Sequence, residues 1–106
     1  MALTADRNTP ARTGDVVEHP VEANAKLFAG ALVALNAAGY AVPGSVSTTL
    51  KAVGRAEEFV DNTGGAQGAK TVRVARGVFR FRNFATDAVT RADIGTTCFI
   101  VDDEQV

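Results

Sequence analysis

The segment from Lys70 to Asn83, K-T-V-R-V-A-R-G-V-F-R-F-R-N, most constrains what this chain can form, because apolar and basic residues alternate along it. Alternation with a period of two is typical of a β-strand that buries one face. The apolar positions are even-numbered before Gly77 and odd-numbered after it, and one extra residue in a β-bulge would restore a single buried face. The pattern therefore predicts a bulged strand, or two strands that meet at a corner, with the arginines pointing outward. The predicted core positions are Val72, Val74, Phe79 and Phe81.

Length and composition indicate one ordinary domain. The chain has 106 residues, of which 46% are hydrophobic and 22% are charged, and its net charge is −1. A dedicated nucleic-acid-binding protein is usually plainly basic, so we expect no nucleic-acid partner. No run approaches the ~18 apolar residues that a membrane helix needs, so we expect no membrane span. A single cysteine excludes an internal disulfide bond.

The first part of the chain is polar and aperiodic. Residues 2–15 contain Pro10 and Gly14 and are either a frayed terminus or an extended arm that becomes ordered against a partner. Residues 16–21, V-V-E-H-P-V, predict a short edge strand, because Pro20 cannot donate a hydrogen bond to a central ladder. We therefore divide the chain into an N-terminal arm at 1–15 and a single β domain at 16–106.

Residues 24–42 fit two structures. Apolar residues spaced from Leu27 to Leu35 would share one helix face, with Asn24 as the N-cap and Gly39 just past the end. Alternatively, 32–35 and 40–42 form a hairpin whose turn, 36–39, uses Gly39 at positive φ. We favour the hairpin, because the rest of the chain is β-like and the resemblance described below also favours it.

The remaining segments predict further short strands. Residues 50–60 form one irregular strand or two short ones, 61–69 form a turn-rich loop, and 96–101, T-T-C-F-I-V, form a final strand. Too few residues remain for crossover helices, so a parallel α/β sheet is not expected. The predicted fold is all-β, a small antiparallel sandwich or barrel.

No catalytic constellation is visible in the sequence. Nucleophilic catalysis needs a nucleophile, a base and an orienting group, but the chain has one histidine, His19, and one cysteine, Cys98. We expect Cys98 to be a buried structural thiol, because it lies in an apolar segment. Zinc would need about four soft ligands, so we expect no metal, no cofactor and no enzymatic activity.

Basic residues are concentrated in one region of the chain. We interpret these residues as a solvated outer face whose charges also discourage other chains from pairing with the edge of the sheet. The alternative is a docking surface for an acidic protein. The basic residues of this region are Lys70, Arg73, Arg76, Arg80, Arg82 and Arg91.

Several stretches, taken in order, resemble the capsid cement proteins of tailed bacteriophages, which are also called head decoration proteins. The stretches are G-A-L-V-A-L-N-A-A-G-Y-A-V-P at 30–43, A-V-G-R-A at 52–56, V-D-N-T-G-G at 60–65, R-G-V-F at 76–79 and A-D-I-G-T-T-C-F-I-V-D-D at 92–103. Together they span most of residues 25–103. Family members often continue past the last stretch into a further glycine-led segment and a strand, whereas the sequence in hand reaches only Val106.

The resemblance implies a jelly-roll-like β-domain on the outer surface of a phage head. Such a protein would clamp neighbouring subunits of the major capsid protein, would be a dimer or trimer at symmetry axes, and would be made in the host cytoplasm. The alternative is a small exposed β-module that binds carbohydrate or another protein. The candidate capsid-binding residues are Leu3, Arg7, Arg12, Arg73, Arg76, Arg80 and Arg82.

Overall fold

A computed structural model describes residues 2, 4–9 and 14–106. This part of the chain is all-β, with antiparallel sheets and almost no helix. The strands are β1 Val16–Pro20, β2 Lys26–Leu27, β3 Leu32–Leu35, β4 Ala41–Pro43, β5 Lys51–Ala56, β6 Val60–Asp61 and β7 Thr71–Ala75, and a short 3₁₀ turn spans Arg91–Asp93. None of the helical structure in the described ranges is long and apolar enough to cross a membrane.

Five strands form the main sheet in the order β1-β7-β5-β3-β4, and β2 pairs with β6 in a separate two-stranded sheet. Strand β1 pairs with β7 along its whole length and lies at one edge of the main sheet, as the proline at Pro20 predicts. A single parallel bridge joins Val21, just after β1, to Ala41 of the opposite edge strand. The sheet therefore curls until its two edges approach at one point, without a continuous ladder between them.

The hairpin prediction for residues 24–42 is confirmed, and the helix alternative is wrong. Strands β3 and β4 pair through Val33–Pro43, Ala34–Val42 and Leu35–Ala41. In the turn, the Asn36 side-chain oxygen accepts hydrogen bonds from the Ala38 and Tyr40 N–H groups, each at 3.0 Å, and Gly39 has φ of 90°. This turn satisfies backbone groups that a helix would have satisfied internally.

The core lies on the inner face of the main sheet, and the small β2–β6 sheet contributes to it. Val72 and Val74 are fully buried, which confirms the inward facing of this part of the alternating segment. Leu27 is the largest fully buried side chain in the described ranges. The cluster comprises Val21, Ala25, Leu27, Val33, Ala41, Ala56, Val60, Val72 and Val74.

Strand β3 is also buried on its outer face, where it carries Leu32 and Ala34. The Leu32 N–H donates a 2.8 Å hydrogen bond to the Asp103 carbonyl oxygen, so a segment near the end of the sequence lies against this strand. Gly44 packs closely there, because a β-carbon at this position would lie 2.9 Å from Cγ2 of Ile100. Residues 100–103 thus lie over part of this outer face. We call the irregular segment 76–106, to which they belong, the outer layer.

The predicted continuation of the bulged strand is wrong. Strand β7 ends at Ala75, and Phe79 and Phe81 are half-buried instead of belonging to the core. The physical reason is pairing: β5 contacts β7 only through Arg55–Ala75 and Ala56–Val74, while the first half of β5 pairs with β3. Beyond Ala75 the neighbouring strand offers no further ladder, so the alternating pattern alone does not produce a strand.

The predicted final strand at 96–101 is absent. Cys98 is exposed, contrary to the expectation of a buried thiol, and Phe99 is also exposed. The reason is again the lack of a partner strand, since an apolar run forms a buried strand only when a neighbouring strand pairs with it and another layer covers it. Residues 50–60 form two short strands, one of the two predicted alternatives, and 61–69 is a turn-rich loop with Gly64 and Gly68 at positive φ.

Candidate interaction surface

The outer layer contains two segments outside the strands whose backbone is not paired. Among the described residues, nothing hydrogen-bonds to the N–H or C=O groups of 77–81 or of 97–100. By contrast, 82–84 pairs in parallel with 104–106. There, the Arg82 N–H donates to Glu104 O at 2.9 Å, and the Val106 N–H donates to Arg82 O at 3.0 Å. The backbone of the two open segments is therefore left to solvent or to another molecule.

The outer layer and the adjacent loop also expose large apolar side chains. The exposed fractions are 101% for Val78, 82% for Phe99, 74% for Ile94 and 78% for Val46. A groove of about 400 Å³ lies between the loop and the outer layer, with no charged residue in its lining. Its lining residues are Val46, Ser47, Thr48, Leu50, Ala52, Cys98, Phe99 and Ile100. Clustered exposure of this kind is typical of interaction surfaces.

A second exposed apolar pair lies beside the small sheet. Phe28 follows β2, Phe59 precedes β6, and their ring centroids are 5.2 Å apart. Both rings are more than half exposed. The helix pattern would have buried Phe28, and its exposure follows from the two-residue length of β2, after which the chain turns away from the core.

The candidate arginines within the described residues are exposed, and three of them lie in one segment. Arg76 begins the outer layer, where its N–H donates a 2.8 Å hydrogen bond to the Asp15 carbonyl oxygen. Arg80 and Arg82 follow and alternate with the half-buried rings of Phe79 and Phe81. These side chains therefore alternate between half-buried and exposed positions, as the sequence predicts, although the segment does not form a strand.

Two of the candidate arginines have weak ionic partners. Arg73 Nε lies 3.7 Å from Glu58 Oε2, and Arg82 Nη1 lies 3.5 Å from Glu104 Oε1. Both pairs are well exposed and contribute little to folding stability. Within the described ranges, no carboxylate lies within 4.0 Å of the guanidinium groups of Arg76 or Arg80. Arg7 is exposed, and the candidates Leu3 and Arg12 lie outside the described residues.

Arg55 anchors the outer layer, a role that the sequence did not indicate. Its guanidinium carbon lies 4.6 Å from the ring centroid of Phe79, and its Nη2 lies 2.7 Å from Glu57 Oε1. A cation over an aromatic face is attracted by the ring quadrupole. Phe79 in turn contacts Phe81 edge-on, with centroids 6.4 Å apart. This stack holds the alternating segment against the sheet and leaves its arginines outward.

Asn62 is a second residue that sequence reasoning missed. It is buried, and its side-chain NH₂ group donates to the carbonyl oxygens of Glu22 at 2.9 Å and Ala66 at 3.0 Å, with Val21 O at 3.4 Å. These bonds tie the loop after β6 to the segment after β1. Its neighbour Asp61 accepts hydrogen bonds from the Thr63 hydroxyl and N–H groups, which lower the pKa of the Asp61 carboxyl. The only signal in the sequence is the turn-forming run D-N-T-G-G.

Cys98 gives a direct check on the outer layer. Because the thiol is exposed, we expect it to react with a thiol reagent in the native protein at nearly the rate seen after unfolding. For the same reason, Cys98→Ala should change the free energy of unfolding by less than about 0.5 kcal/mol. Slow labelling that accelerates on unfolding, together with a cavity cost above about 1 kcal/mol, would instead place this side chain in a core.

The side-chain geometry of the described residues gives no support for a catalytic or metal-binding site. His19 is half-buried on β1, and Cys98 lies in the outer layer. In the part of the chain that the structure describes, no group of three or more His, Cys, Asp or Glu side chains could hold a metal ion. Compared with protein-family models, with curated proteins and with solved structures, the chain matches none significantly.

Proposed function

We propose that this chain is a capsid cement protein that binds the outer surface of a tailed-bacteriophage head and stabilises contacts between subunits of the major capsid protein. The observation that carries the proposal is the ordered series of stretches from 30 to 103 that resemble cement proteins. The all-β fold and the exposed outer layer are consistent with it. The proposed location is the virion surface, with no nucleic-acid or membrane partner.

The proposal includes a finer description of the fold. The five-stranded sheet would be the incomplete wall of a jelly-roll-like barrel, with the N-terminal arm at 1–15 extending from it towards the shell. The bridge between Val21 and Ala41 supports this description, because it brings the two edge strands together.

The mechanism follows from mass action. A protein that contacts two or more capsid subunits at once gains binding free energy only when those subunits are assembled, so its binding favours the closed shell. Arg7, Arg73, Arg76, Arg80 and Arg82 would form charge-assisted hydrogen bonds with acidic groups on the shell. Assembly as a dimer or trimer at a symmetry axis would repeat each weak contact and raise the overall affinity.

The experimental test compares heads with and without the protein. Heads that lack it should form normally but release their DNA at a lower temperature and under milder osmotic shock, because the added contact free energy is missing. Adding the purified protein back should restore the resistance. Equal heat and osmotic tolerance of the decorated and bare heads would contradict the cement function, and binding to a glycan without binding to the shell would favour an exposed carbohydrate-binding module instead.

A further inference from the structure

We propose that residues 77–81 form a docking edge at which an extended acidic segment of the partner protein adds as a β-strand. The naming of that partner as the major capsid protein rests on the proposed function, whereas the docking edge itself rests on the backbone and charge of this segment. We call residues 76–82 the docking segment, with its open backbone at 77–81.

The first argument is backbone hydrogen bonding. Five consecutive residues in the outer layer, 77–81, have neither N–H nor C=O groups bonded to any described part of the chain. None of the five is a proline, so each can donate as well as accept. Val78 is fully exposed, and the backbone beside it is accessible to another chain. Such an edge is a template for strand addition, in which main-chain hydrogen bonds supply affinity.

The second argument is conformation. Burial alternates along the segment: Phe79 and Phe81 are half-buried, whereas Arg80 and Arg82 are exposed. Phe79 is held beneath by Arg55, at 4.6 Å from the ring centroid. The segment is therefore already placed against the sheet in an alternating arrangement, so an incoming strand need not order it from a disordered state. Preorganisation of this kind lowers the entropic cost of binding.

The third argument is charge, which selects the occupant. The docking segment carries three arginines and no acidic residue. No carboxylate of the described ranges lies within 4.0 Å of Arg76 or Arg80, and the Arg82–Glu104 pair is weak at 3.5 Å and highly exposed. Guanidinium groups form strong paired hydrogen bonds with carboxylates. A strand with acidic residues on its exposed face thus complements this edge, and a basic strand is repelled.

The chain itself contains an example of the proposed pairing. Its acidic stretch Asp102–Glu104 leads into 104–106, which pairs in parallel with 82–84 immediately after the docking segment. This intramolecular pairing begins at Arg82 and leaves 77–81 open. A partner segment of similar character could occupy that remaining length.

The test uses two fluorescein-labelled nonapeptides, one alternating Glu with Val and Thr and the other with Lys in place of Glu, titrated by fluorescence anisotropy. The wild-type protein should bind the acidic peptide and not the basic one, more weakly at high salt. Arg80→Glu should weaken binding ten-fold or more. The matched charge reversal Lys51→Glu, at an exposed position on β5, should bind like wild type. Val78→Pro should also weaken binding, because it removes the Val78 N–H group that would donate to the added strand. This N–H group makes no hydrogen bond to the described residues of the chain itself.

Equal binding of the two peptides, no binding of the acidic peptide, or wild-type affinity in both Arg80→Glu and Val78→Pro would overturn the docking edge. Thermal melting of each variant guards against misfolding, and an unchanged melting temperature is expected since Arg80 and Val78 are exposed. Sedimentation with phage heads then separates the two proposals. If heads bind wild-type protein and Arg80→Glu equally, the assignment of the docking edge to the capsid is wrong and the cement function stands. If heads bind neither protein while the acidic peptide binds, the cement function is wrong and the docking edge stands.

Discussion

Replacing Asn62 with aspartate should destabilise the fold by about 3–5 kcal/mol, although the two side chains have nearly the same shape. The side-chain NH₂ group of Asn62 donates to carbonyl oxygens of Glu22 and Ala66 at 2.9 and 3.0 Å and also faces Val21 O. A carboxylate in its place would direct negative charge at these same oxygens in a buried site. The loss is a large share of the 5–15 kcal/mol that stabilises a typical domain.

The pH dependence of this variant gives a second readout. Burial raises the pKa of the introduced carboxyl in the folded state, so its penalty is greatest when the unfolded chain ionises it, above about pH 4. As the pH falls towards that value, the difference in stability between Asn62→Asp and wild type should shrink. The control Asn8→Asp adds the same charge at an exposed position and should melt like wild type. An Asn62→Asp protein with wild-type stability at pH 7 would contradict this role for Asn62.

Replacing Gly54 with alanine should cost about 2–5 kcal/mol, because two constraints act at this residue. Its φ is 148°, which side chains rarely adopt, and an added β-carbon would overlap the Ala75 carbonyl oxygen and lie 3.0 Å from Val74 Cγ1. Strands β5 and β7 are joined only by two residue pairs next to this position. Forcing the strands apart would therefore weaken the centre of the main sheet.

The measurement is a urea titration of Gly54→Ala beside Gly14→Ala. Among the described residues, no atom lies within 4 Å of a β-carbon added at Gly14, and its φ is not in the left-handed region, so this control should unfold at the wild-type midpoint. Coincident midpoints of Gly54→Ala and wild type would show that the strands do not approach as closely as described.

The parts of the fold that the sequence predicted correctly are those set by local chemistry. The turn at Asn36–Gly39 contains an asparagine oxygen that caps two N–H groups and a glycine at positive φ, and both are visible as residue types. Pro20 similarly predicts the edge position of β1, because proline has no N–H group to donate to a second neighbouring strand, and this property can be seen from the residue type alone. Val72 and Val74 face inward because apolar and polar residues alternate along β7, which is paired with neighbouring strands.

The failures share one cause, which is that a strand needs a partner that its own residues do not specify. The run 76–83 alternates as β7 does, and 96–101 is a largely apolar run typical of a strand, but no ladder forms along 77–81 or 97–100 within the described chain. Burial of Phe79, Phe81 and Cys98 was predicted on the assumption that such ladders exist. Their exposure or partial exposure is a consequence of the missing partner strands and not of unsuitable residues.

The candidate surface was predicted in part. The arginines at 73, 76, 80 and 82 were correctly placed outward, because they alternate with apolar residues. The contact of Arg55 with Phe79 could not be predicted, since it depends on the path of the chain after β7. The role of Asn62 was also hidden, because its three carbonyl contacts come from segments four to forty-one residues away.

The most direct test of the proposed cement function is sedimentation of the purified protein with mature tailed-bacteriophage heads that carry no decoration protein. The account predicts saturable co-sedimentation with a fixed number of copies per head, set by the symmetry of the shell, and little binding to unassembled capsid subunits, because single subunits cannot supply contacts to two neighbours at once. Protein that stays in the supernatant at every concentration, or that binds isolated subunits as tightly as intact heads, would contradict the account.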